Sequence, residues 1–408
     1  MVITSVRKSK AKNLTQKLIP GPWKLPLIGN LHQLAASGLP HRTLRDLATK
    51  HGDFMHLQLG QVSTVVVSSP EMAKEIMKTH DIVFANRPFL VVAKITTYEC
   101  TDIVFAPYGT YWRNLRKICT SELLSAARVA SFRSIREEEH RVEKIHGETD
   151  RIVGNIVNDH KESRAKGRSE DEYREDLVDL LLRLQEDGEF PLTDNNIKAI
   201  LFDVFSAGSE TSATAVEWAM SEMIKNPRVM TKAQAEVRQV FEGKGNVDET
   251  GVHQLKYLKC VIKETLRLYP VIPLLIPRES SCVVNGFEIP AKTRVIVNAW
   301  AIGRDPNYWI EPEMFEPERF VNSSVHFMGT NFEFIPFGAG MRICPGILFA
   351  LQNVELPLAQ LLFHFDWKFS WGMKQEDMDM TEKFGVSMKR ENDLVLVPSP
   401  YHASITIA

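Results

Sequence analysis

The chain has 408 residues, of which 44% are hydrophobic and 25% charged, and its formal net charge is −2. This is the composition of an ordinary globular protein, and so small a charge excludes the strong positive field that recruits nucleic acid. Five scattered cysteines with no CxxC pair argue against a disulfide scaffold or a zinc site and indicate a reducing compartment.

We expect residues 1–19 to form a basic tail and residues 20–408 to form one domain. The tail contains a cluster of lysine and arginine at 7–12 and has no signal-peptide pattern. The sequence has no uninterrupted run of about 20 apolar residues, so we predict no transmembrane helix.

The N-terminal third of the domain predicts a small sheet followed by helices. Strands are expected at 53–59 and 62–68, and a helix begins at Pro70, where proline suits the first turn. A second helix, a charged helix-prone stretch and a polar loop are then predicted at 112–124, 130–161 and 162–176.

A long helix is predicted next. Thr193 and Asp194 can cap it, and apolar residues recur at helical spacing until Asn226 and Pro227 end it. Such a helix spans the molecule, because ordinary helices are about a third as long. The remaining elements are predicted to be helices 230–241 and 253–269, strands 283–289 and 293–298, an irregular segment 305–320 and a last helix 347–363. The fold class is therefore mainly α with a minor β-sheet region.

The segment 337–346, called here the cysteine loop, is glycine-rich and carries one cysteine, Cys344. Its glycines allow tight bends and a close approach to a flat ligand; they are Gly338, Gly340 and Gly346. Backbone amides can then point at the sulfur and tune a thiolate bound to iron. Arg342 can reach an anionic edge of the ligand, and Phe337 can pack on its face. The alternative is a turn before a helix with an incidental buried cysteine.

The complete pattern of the cysteine loop resembles the haem-binding loop of the cytochrome P-450 superfamily, in which the matching cysteine is the axial iron ligand. The resemblance implies the cytochrome P-450 fold, with haem b (iron protoporphyrin IX) between a long central helix and the cysteine loop. It also implies that Cys344 is the metal ligand.

Two further residues, Trp112 and Arg116, lie four apart on one helix face and resemble the pair that hydrogen-bonds a haem propionate. Arg278 matches a position that often contacts the other propionate. The cofactor-binding set implied by the resemblance is therefore Trp112, Arg116, Arg278, Phe337, Gly338, Arg342, Cys344 and Gly346.

The segment 207–211 interrupts the long apolar helix with small and polar residues, and a glycine there costs about 1 kcal/mol relative to alanine. Close helix packing is one explanation. The segment also resembles the oxygen-activation motif of cytochrome P-450 monooxygenases. This resemblance implies a notch for oxygen, a hydroxyl that directs protons and a carboxylate relay, formed by Ala207, Gly208, Thr211 and Glu210. Peroxide-rearranging members of the superfamily lack the threonine.

Three charged residues resemble a buried structural network of the same superfamily. Glu264 and Arg267 lie three apart on one helix face, and Arg319 follows in the segment before the cysteine loop. Alone, such a pair would be an exposed salt bridge of small effect. The order of the motifs implies that the three charges lock the core beside the haem.

The substrate pocket is expected to be apolar, which suits a hydrocarbon skeleton positioned by shape. Its predicted walls are Val104, Phe105, Leu201, Phe205, Val271, Ile272, Leu274, Phe384 and Val386. The alternative for each of these residues is an ordinary core position.

The phrases at 205–214, 298–306 and 331–337 resemble plant microsomal members, above all terpenoid hydroxylases of the premnaspirodiene oxygenase type. This implies a monooxygenase that inserts one atom of O2 into a C–H bond of an apolar terpenoid. Electrons would come from NADPH through NADPH–cytochrome P-450 reductase, at the cytoplasmic face of the endoplasmic reticulum membrane. The alternatives are a catalytically impaired isoform and a haem-thiolate isomerase or peroxygenase that needs no reductase.

The chain departs from this pattern in two places. The hydrophobic anchor that usually precedes the basic tail is absent, so attachment to the membrane by a spanning helix is in question. In addition, 133–139 resembles the start of one mid-chain helix, while 141–146 resembles a helix several tens of residues later. We therefore predict an internal deletion near 139–141 that removes a core helix and much of the pocket roof.

Overall fold

The computed structural model describes residues 18–35, 38–125, 146–165, 175–188, 190–369 and 374–401. Most of the expected basic tail and the expected deletion point at 139–141 lie outside these described residues. The helices and the sheet that surround the cysteine loop are described.

The main sheet has four strands: β1 (Phe54–Leu59), β2 (Val62–Val67), β3 (Arg278–Val284) and β4 (Phe287–Val297). Their order is β1-β2-β4-β3, with β2 and β4 parallel and the other neighbours antiparallel. The first pair confirms the predicted strands around Gly60.

The second pair corrects the prediction, because a turn falls inside the strand expected at 283–289. Asn285 and Gly286 adopt positive φ angles of 48° and 81°, which suits a tight hairpin turn between strands. The sequence pattern therefore identified the strands but placed their boundary too late.

Helices are the predominant regular structure in the described chain, as predicted. They run Leu31–Ala35, Pro40–His51, Pro70–Lys74, Val91–Thr96, Thr110–Lys117, His146–Ala165, Leu177–Glu186, Asp194–Lys225, Pro227–Val240, Glu249–Val252, Lys256–Leu268, Ala299–Ile302 and Ile347–His364. Wider π turns at Glu75–Thr79 and Ile118–Leu123 continue two of them, and short 3-10 turns occupy Pro317–Phe320, Gly340–Arg342 and Gln375–Asp377. Two small two-stranded antiparallel sheets lie in the C-terminal part: β5 (Phe365–Phe369) with β8 (Leu396–Pro400), and β6 (Glu382–Lys383) with β7 (Lys389–Arg390).

The polar loop expected at 162–176 is partly wrong. The helix from His146 continues to Ala165, and Asp176 already caps the next helix with its side chain. That helix, Leu177–Glu186, was not predicted. Its aspartate cap is the signal in the sequence that could have revealed it.

Asp194–Lys225, called here the central helix, has the predicted bounds. The Thr193 hydroxyl accepts a hydrogen bond from the Asn196 amide, while the Asn196 side chain accepts one from the Thr193 amide, which satisfies two otherwise unpaired groups. Residues 196–203 and 212–224 of the central helix are mostly buried. Its middle is more exposed, with Phe205 52% exposed among the described residues.

Two main parts of the core lie on the two halves of the central helix, and a third packs on the main sheet. The larger part joins the C-terminal half of this helix to the helices Pro227–Val240, Lys256–Leu268 and Ile347–His364. The other joins its N-terminal half to the helices around residues 110–123 and 177–186.

One described helix, Ile347–His364, is long and apolar enough to cross a membrane by length and composition alone. It packs along the central helix and contributes Leu358 and Leu362 to the larger core, so it is a core helix of this fold.

Candidate active site

The cysteine loop is a tightly supported turn. The Cys344 amide donates a hydrogen bond to the Phe337 carbonyl at 3.0 Å, which closes the loop. Gly340 has a φ of 70°, and a Cβ atom there would lie 2.0 Å from the carbonyl oxygen of Met77. Only glycine therefore lets the cysteine loop lie directly against the backbone of the helical turn Glu75–Thr79. Asp81 adds a further restraint, since its Oδ2 accepts a hydrogen bond from the Met341 amide at 2.5 Å.

The Cys344 thiol is free and partly buried. Burial raises the pKa of this thiol, while a hydrogen bond from the Gly346 amide and the charge of Arg116 oppose that rise. A buried sulfur with an amide donor and a nearby cation is suited to hold negative charge once a metal replaces its proton.

Four guanidinium groups converge beside the cysteine loop, and one of them, Arg116, lies near the thiol. Burial lowers the pKa of Arg342 to about 10, and repulsion from Arg278 and Arg116 contributes to the decrease. Burial, together with Arg278 and Arg342, likewise holds the pKa of Arg87 well below its usual value. Sequence reasoning missed Arg87, because nothing in its local pattern separates it from a surface arginine.

The carboxylates that face this cluster are Asp81 and Asp102. Asp81 pairs with Arg278 at 2.9 Å, and the four arginines outnumber the two carboxylates by two. A buried excess of positive charge is unfavourable without an anionic partner. A flat ligand with two carboxylates would compensate it, so the donor set fits the two propionates of haem.

The arginines differ in how many donors they still offer. The Arg342 side chain donates to the carbonyls of Ala85 and Ala106, each at 2.7 Å, and lies in a cage of backbone oxygens. Arg116 donates no hydrogen bond within the described part of the chain and lies beside Cys344, so its planar fork is available. Arg278 also donates to the Ala339 carbonyl.

Trp112 has a hydrogen-bond partner inside the core. Its single indole N–H donates to the carbonyl of Ile103 at 2.9 Å. Binding through Trp112 would require this bond to be exchanged. Tryptophan at this position therefore organises the segment before helix Thr110–Lys117.

The segment 207–211 lies in the open middle of the central helix. The Thr211 hydroxyl donates to the Ala207 carbonyl at 2.5 Å, a bond that a threonine commonly makes within a helix. A Cβ atom at Gly208 would lie 3.0 Å from Cε1 of Phe349, which follows Cys344 by five positions. The glycine thus permits close contact between the central helix and the helix that begins after the cysteine loop.

Glu210 has two polar partners in the C-terminal part of the chain. Its carboxylate accepts a hydrogen bond from the Ser387 hydroxyl at 2.5 Å and pairs with Lys389 at 2.9 Å. These two partners lower the pKa of Glu210, so the group is ionised near neutral pH. Sequence reasoning missed Ser387 and Lys389, which are about 180 positions away along the chain.

The turn that carries Ser387 is itself fastened by a buried carboxylate. Glu382 accepts hydrogen bonds from His41 at 3.0 Å, Arg42 at 2.8 Å and Trp300 at 3.0 Å. Although burial opposes the change, His41 and Arg42 lower the pKa of Glu382 to about 2. This cluster gives the C-terminal turn a fixed position beside the central helix.

The charged network expected from the sequence is assembled in the structure. Arg267 forms a bidentate pair with Glu264, both bonds at 2.8 Å, and Arg319 donates to the same carboxylate at 2.9 Å. Glu264 and Arg267 are almost completely buried. The other Arg267 N–H groups donate to the carbonyls of Gly303, Pro312 and Met314, so the network ties three segments together.

The predicted pocket walls separate into two groups. Leu201 and Val271 lie in the two cores, and Val104, Phe105, Ile272 and Leu274 are buried only in part. Phe205, Phe384 and Val386 are exposed, the last by 86%. The assignment of these nine residues to a substrate pocket stays a prediction.

A family model described as cytochrome P450 matches residues 19–144 and 134–397. Premnaspirodiene oxygenase from Hyoscyamus muticus is 47% identical, covering 98% of this chain and 96% of that protein. Tabersonine 16-hydroxylase 2 from Catharanthus roseus is 49% identical (98% and 95%), and salviol synthase from Salvia pomifera is 47% identical (97% and 94%). A zebrafish cytochrome P450 solved with abiraterone has a TM-score of 0.77 at 24% identity, covering 90% of this chain and all of that one, which establishes the fold. The chain therefore belongs to the cytochrome P450 family, and its relatives identify it as a cytochrome P450 monooxygenase.

Proposed function

We propose that this chain is a haem-thiolate monooxygenase of plant secondary metabolism that oxidises a C–H bond of an apolar terpenoid. The observation that carries the proposal is Cys344, a free thiol beneath a Gly346 amide and beside an excess of arginine charge. The apolar character of Phe205, Phe384 and Val386 supports a hydrocarbon substrate. Among the relatives, premnaspirodiene oxygenase is named for an oxygenation reaction.

When bound, a haem with a thiolate ligand supplies oxygen activation, because the sulfur donates electron density. The chain contributes the positions of the groups around it. Arg116 and Arg278 would hold the two propionates, and the Gly346 amide would temper the charge on Cys344. When the Thr211 hydroxyl breaks its hydrogen bond to the Ala207 carbonyl, it can direct its proton toward the notch at Gly208.

The same proposal includes an electron donor. Arg113 and Lys117 are exposed on helix Thr110–Lys117, on the side of the chain that also carries Arg116. Exposed basic groups can guide an acidic protein partner to the site. We propose NADPH–cytochrome P450 reductase as that partner and the cytoplasmic face of the endoplasmic reticulum membrane as the location, as the family resemblance implies.

We also propose that an internal deletion near 139–141 lowers the monooxygenase activity of this chain. The family model matches in two stretches that overlap over residues 134–144, and the expected deletion falls within this overlap. One curated relative aligns over 477 positions, more than the 408 residues of the chain, so the alignment contains long gaps opposite the chain. The exposed middle of the central helix supports the loss of an element that would cover it.

The decisive experiment is the absorption spectrum of the reduced, carbon-monoxide-bound protein. We expect the purified chain to hold haem weakly and to give a small thiolate-type red-shifted band, whereas a chain with a relative's segment inserted at 139–141 gives a larger and stable one. Equal, stable bands from both chains would show that the segment is dispensable. Wild-type turnover by Cys344→Ala would refute the ligand assignment.

Substrate and redox partner need separate measurements with the restored chain. Displacement of iron-bound water in the haem spectrum tests the substrate class, followed for a panel of terpenoids, tabersonine, phenylpropanoids and amino-acid derivatives. Binding of phenylpropanoids or amino-acid derivatives alone would contradict a terpenoid substrate. Product formed with NADPH and reductase, rather than with peroxide alone, separates the monooxygenase from an isomerase or peroxygenase.

A further inference from the structure

Two buried carboxyl groups meet between the central helix and the segment that precedes helix Thr110–Lys117. Asp102 is fully buried and Asp203, five positions before Gly208 in the central helix, is 8% exposed. Buried aspartates are rare without partners that compensate the lost hydration. Neither residue belongs to the site residues expected from the sequence.

Both carboxyl groups bind the same short stretch of backbone. Asp203 Oδ2 accepts a hydrogen bond from the Ile103 amide at 3.0 Å. Asp102 Oδ2 accepts from the amides of Val104 at 3.2 Å and Phe105 at 3.0 Å. The stretch 102–106, called here the acid loop, is therefore held by one carboxyl from its own turn and by one from the central helix.

One oxygen in this arrangement lacks a donor. Asp102 Oδ1 is buried and has no hydrogen-bond partner in the described part of the chain. The Asp203 carboxyl lies within hydrogen-bonding reach of Asp102. Two ionised carboxylates cannot bond to each other, because both only accept. A single proton between them would supply the missing donor, as in other carboxyl pairs that share a site.

The neighbouring charges decide which carboxyl keeps the proton. Arg87 and Arg342 face Asp102 and favour its ionised form. The other titratable groups packed against the pair are thiols and a phenol, namely Cys100, Cys119 and Tyr111, and none of them is a cation. The negative charge therefore belongs on Asp102 and the proton on Asp203.

We propose that Asp102 and Asp203 share one proton and form a clamp that fastens the acid loop to the central helix. The clamp positions the groups that line the arginine cluster. The Ile103 carbonyl accepts from Trp112 at 2.9 Å and from Arg342 at 3.3 Å, and the Val104 carbonyl accepts from Arg87 at 3.3 Å. Asp102 and Asp203 are thus positioning residues for the proposed propionate site, and they act without touching the cofactor.

The clamp makes the fold sensitive to pH in a defined direction. Burial raises the pKa of Asp203 well above its usual value, and the charge of Asp102 raises it further. The folded chain therefore keeps a proton that the unfolded chain releases above about pH 4. The contribution of the clamp to stability is complete below that pH and is lost as the pH rises through the raised pKa. Once both groups are ionised, two adjacent buried carboxylates repel and the acid loop is released.

The test compares the purified wild-type chain with Asp203→Asn, which keeps a donor for Asp102 Oδ1 and an acceptor for the Ile103 amide but cannot ionise. Difference infrared spectra at pH 7 should show the carbonyl stretch of a protonated carboxylic acid in the wild-type chain, and Asp203→Asn should lose it. Asp194→Asn is the control, because Lys161 pairs with Asp194 at the surface and lowers its pKa. This control should leave the signal unchanged.

Urea unfolding at a series of pH values gives a second readout. Above about pH 4, the unfolding equilibrium constant of the wild-type chain should rise relative to that of Asp203→Asn by up to about tenfold per pH unit. Parallel pH curves, or an infrared signal that survives in Asp203→Asn, would overturn the proposal. So would failure of both Asp203→Asn and Asp102→Asn to fold, since the pair would then need charge rather than a proton. Neither readout requires haem or turnover, so the clamp can fail while the proposed function stands.

Discussion

Removal of the Glu264 carboxylate tests how the buried charge network supports the haem side of the fold. This carboxylate accepts two hydrogen bonds from Arg267, one from Arg319 and one from the Glu316 amide, all between 2.8 and 2.9 Å. In Glu264→Ala the buried guanidinium of Arg267 retains only backbone carbonyls. Removing one partner of a buried ion pair costs about 3–5 kcal/mol, because the other charge is left uncompensated.

That loss is large against the total free energy of unfolding, which is about 5–15 kcal/mol for an ordinary protein. The assay is urea unfolding of the purified chain, followed by circular dichroism. Glu391→Ala is the matched control, because Glu391 pairs with Lys383 at 3.5 Å on the surface and should change the midpoint little. If Glu264→Ala unfolds at the same urea concentration as this control, the network does not stabilise the fold and the reasoning is wrong.

Three further predictions concern local geometry and pH. The pKa of Glu382 is lowered from its usual value of 4.5 to about 2. Above pH 4.5 the ionised group therefore adds up to about 3 kcal/mol to the free energy of unfolding, and this contribution is lost as the pH falls toward 2; Glu382→Gln should flatten the acid limb of the stability curve. Gly340→Ala should destabilise the chain far more than Gly243→Ala in urea unfolding, because both have positive φ but only Gly340 meets another backbone atom; similar losses would contradict this. Gly208→Val should lower the unfolding midpoint by contact with Phe349, and Phe349→Leu should restore part of it; no restoration would show that the two residues are not in tight contact.

Local patterns were enough to predict the central helix and the cysteine loop. The helix begins at a side-chain cap and ends before a proline, and both signals act within four residues of the boundary. The loop needs left-handed backbone at Gly338 and Gly340, which leaves a glycine at each position as a visible mark. The order of Glu264, Arg267 and Arg319 along the chain likewise indicated a network whose contacts the structure contains.

Side-chain contacts between distant segments could not be predicted from local sequence patterns. Glu382 meets His41 across 341 positions, and Glu210 meets Ser387 across 177, so no window of sequence contains both partners. Each side chain alone looks like a surface charge. The hydrogen bond of Trp112 could not be predicted for the same reason, because its partner is a backbone carbonyl that any residue at 103 would supply.

The proposed haem site has more supporting contacts on its Cys344 side than on the opposite side, and this difference bears on how well the chain can retain haem. Around Cys344, the loop, the arginine cluster and the Glu264 network are all present and mutually supported. Across from it, Phe205 and Val386 face solvent, and each large apolar side chain left in water forgoes about 1.5–3 kcal/mol of burial. A ligand held only from the cysteine side also remains open to water, which weakens the electrostatic interactions that retain it. The chain thus encodes the proposed iron ligand, Cys344, and its charge partners, and we expect retention of haem to depend on covering the exposed middle of the central helix.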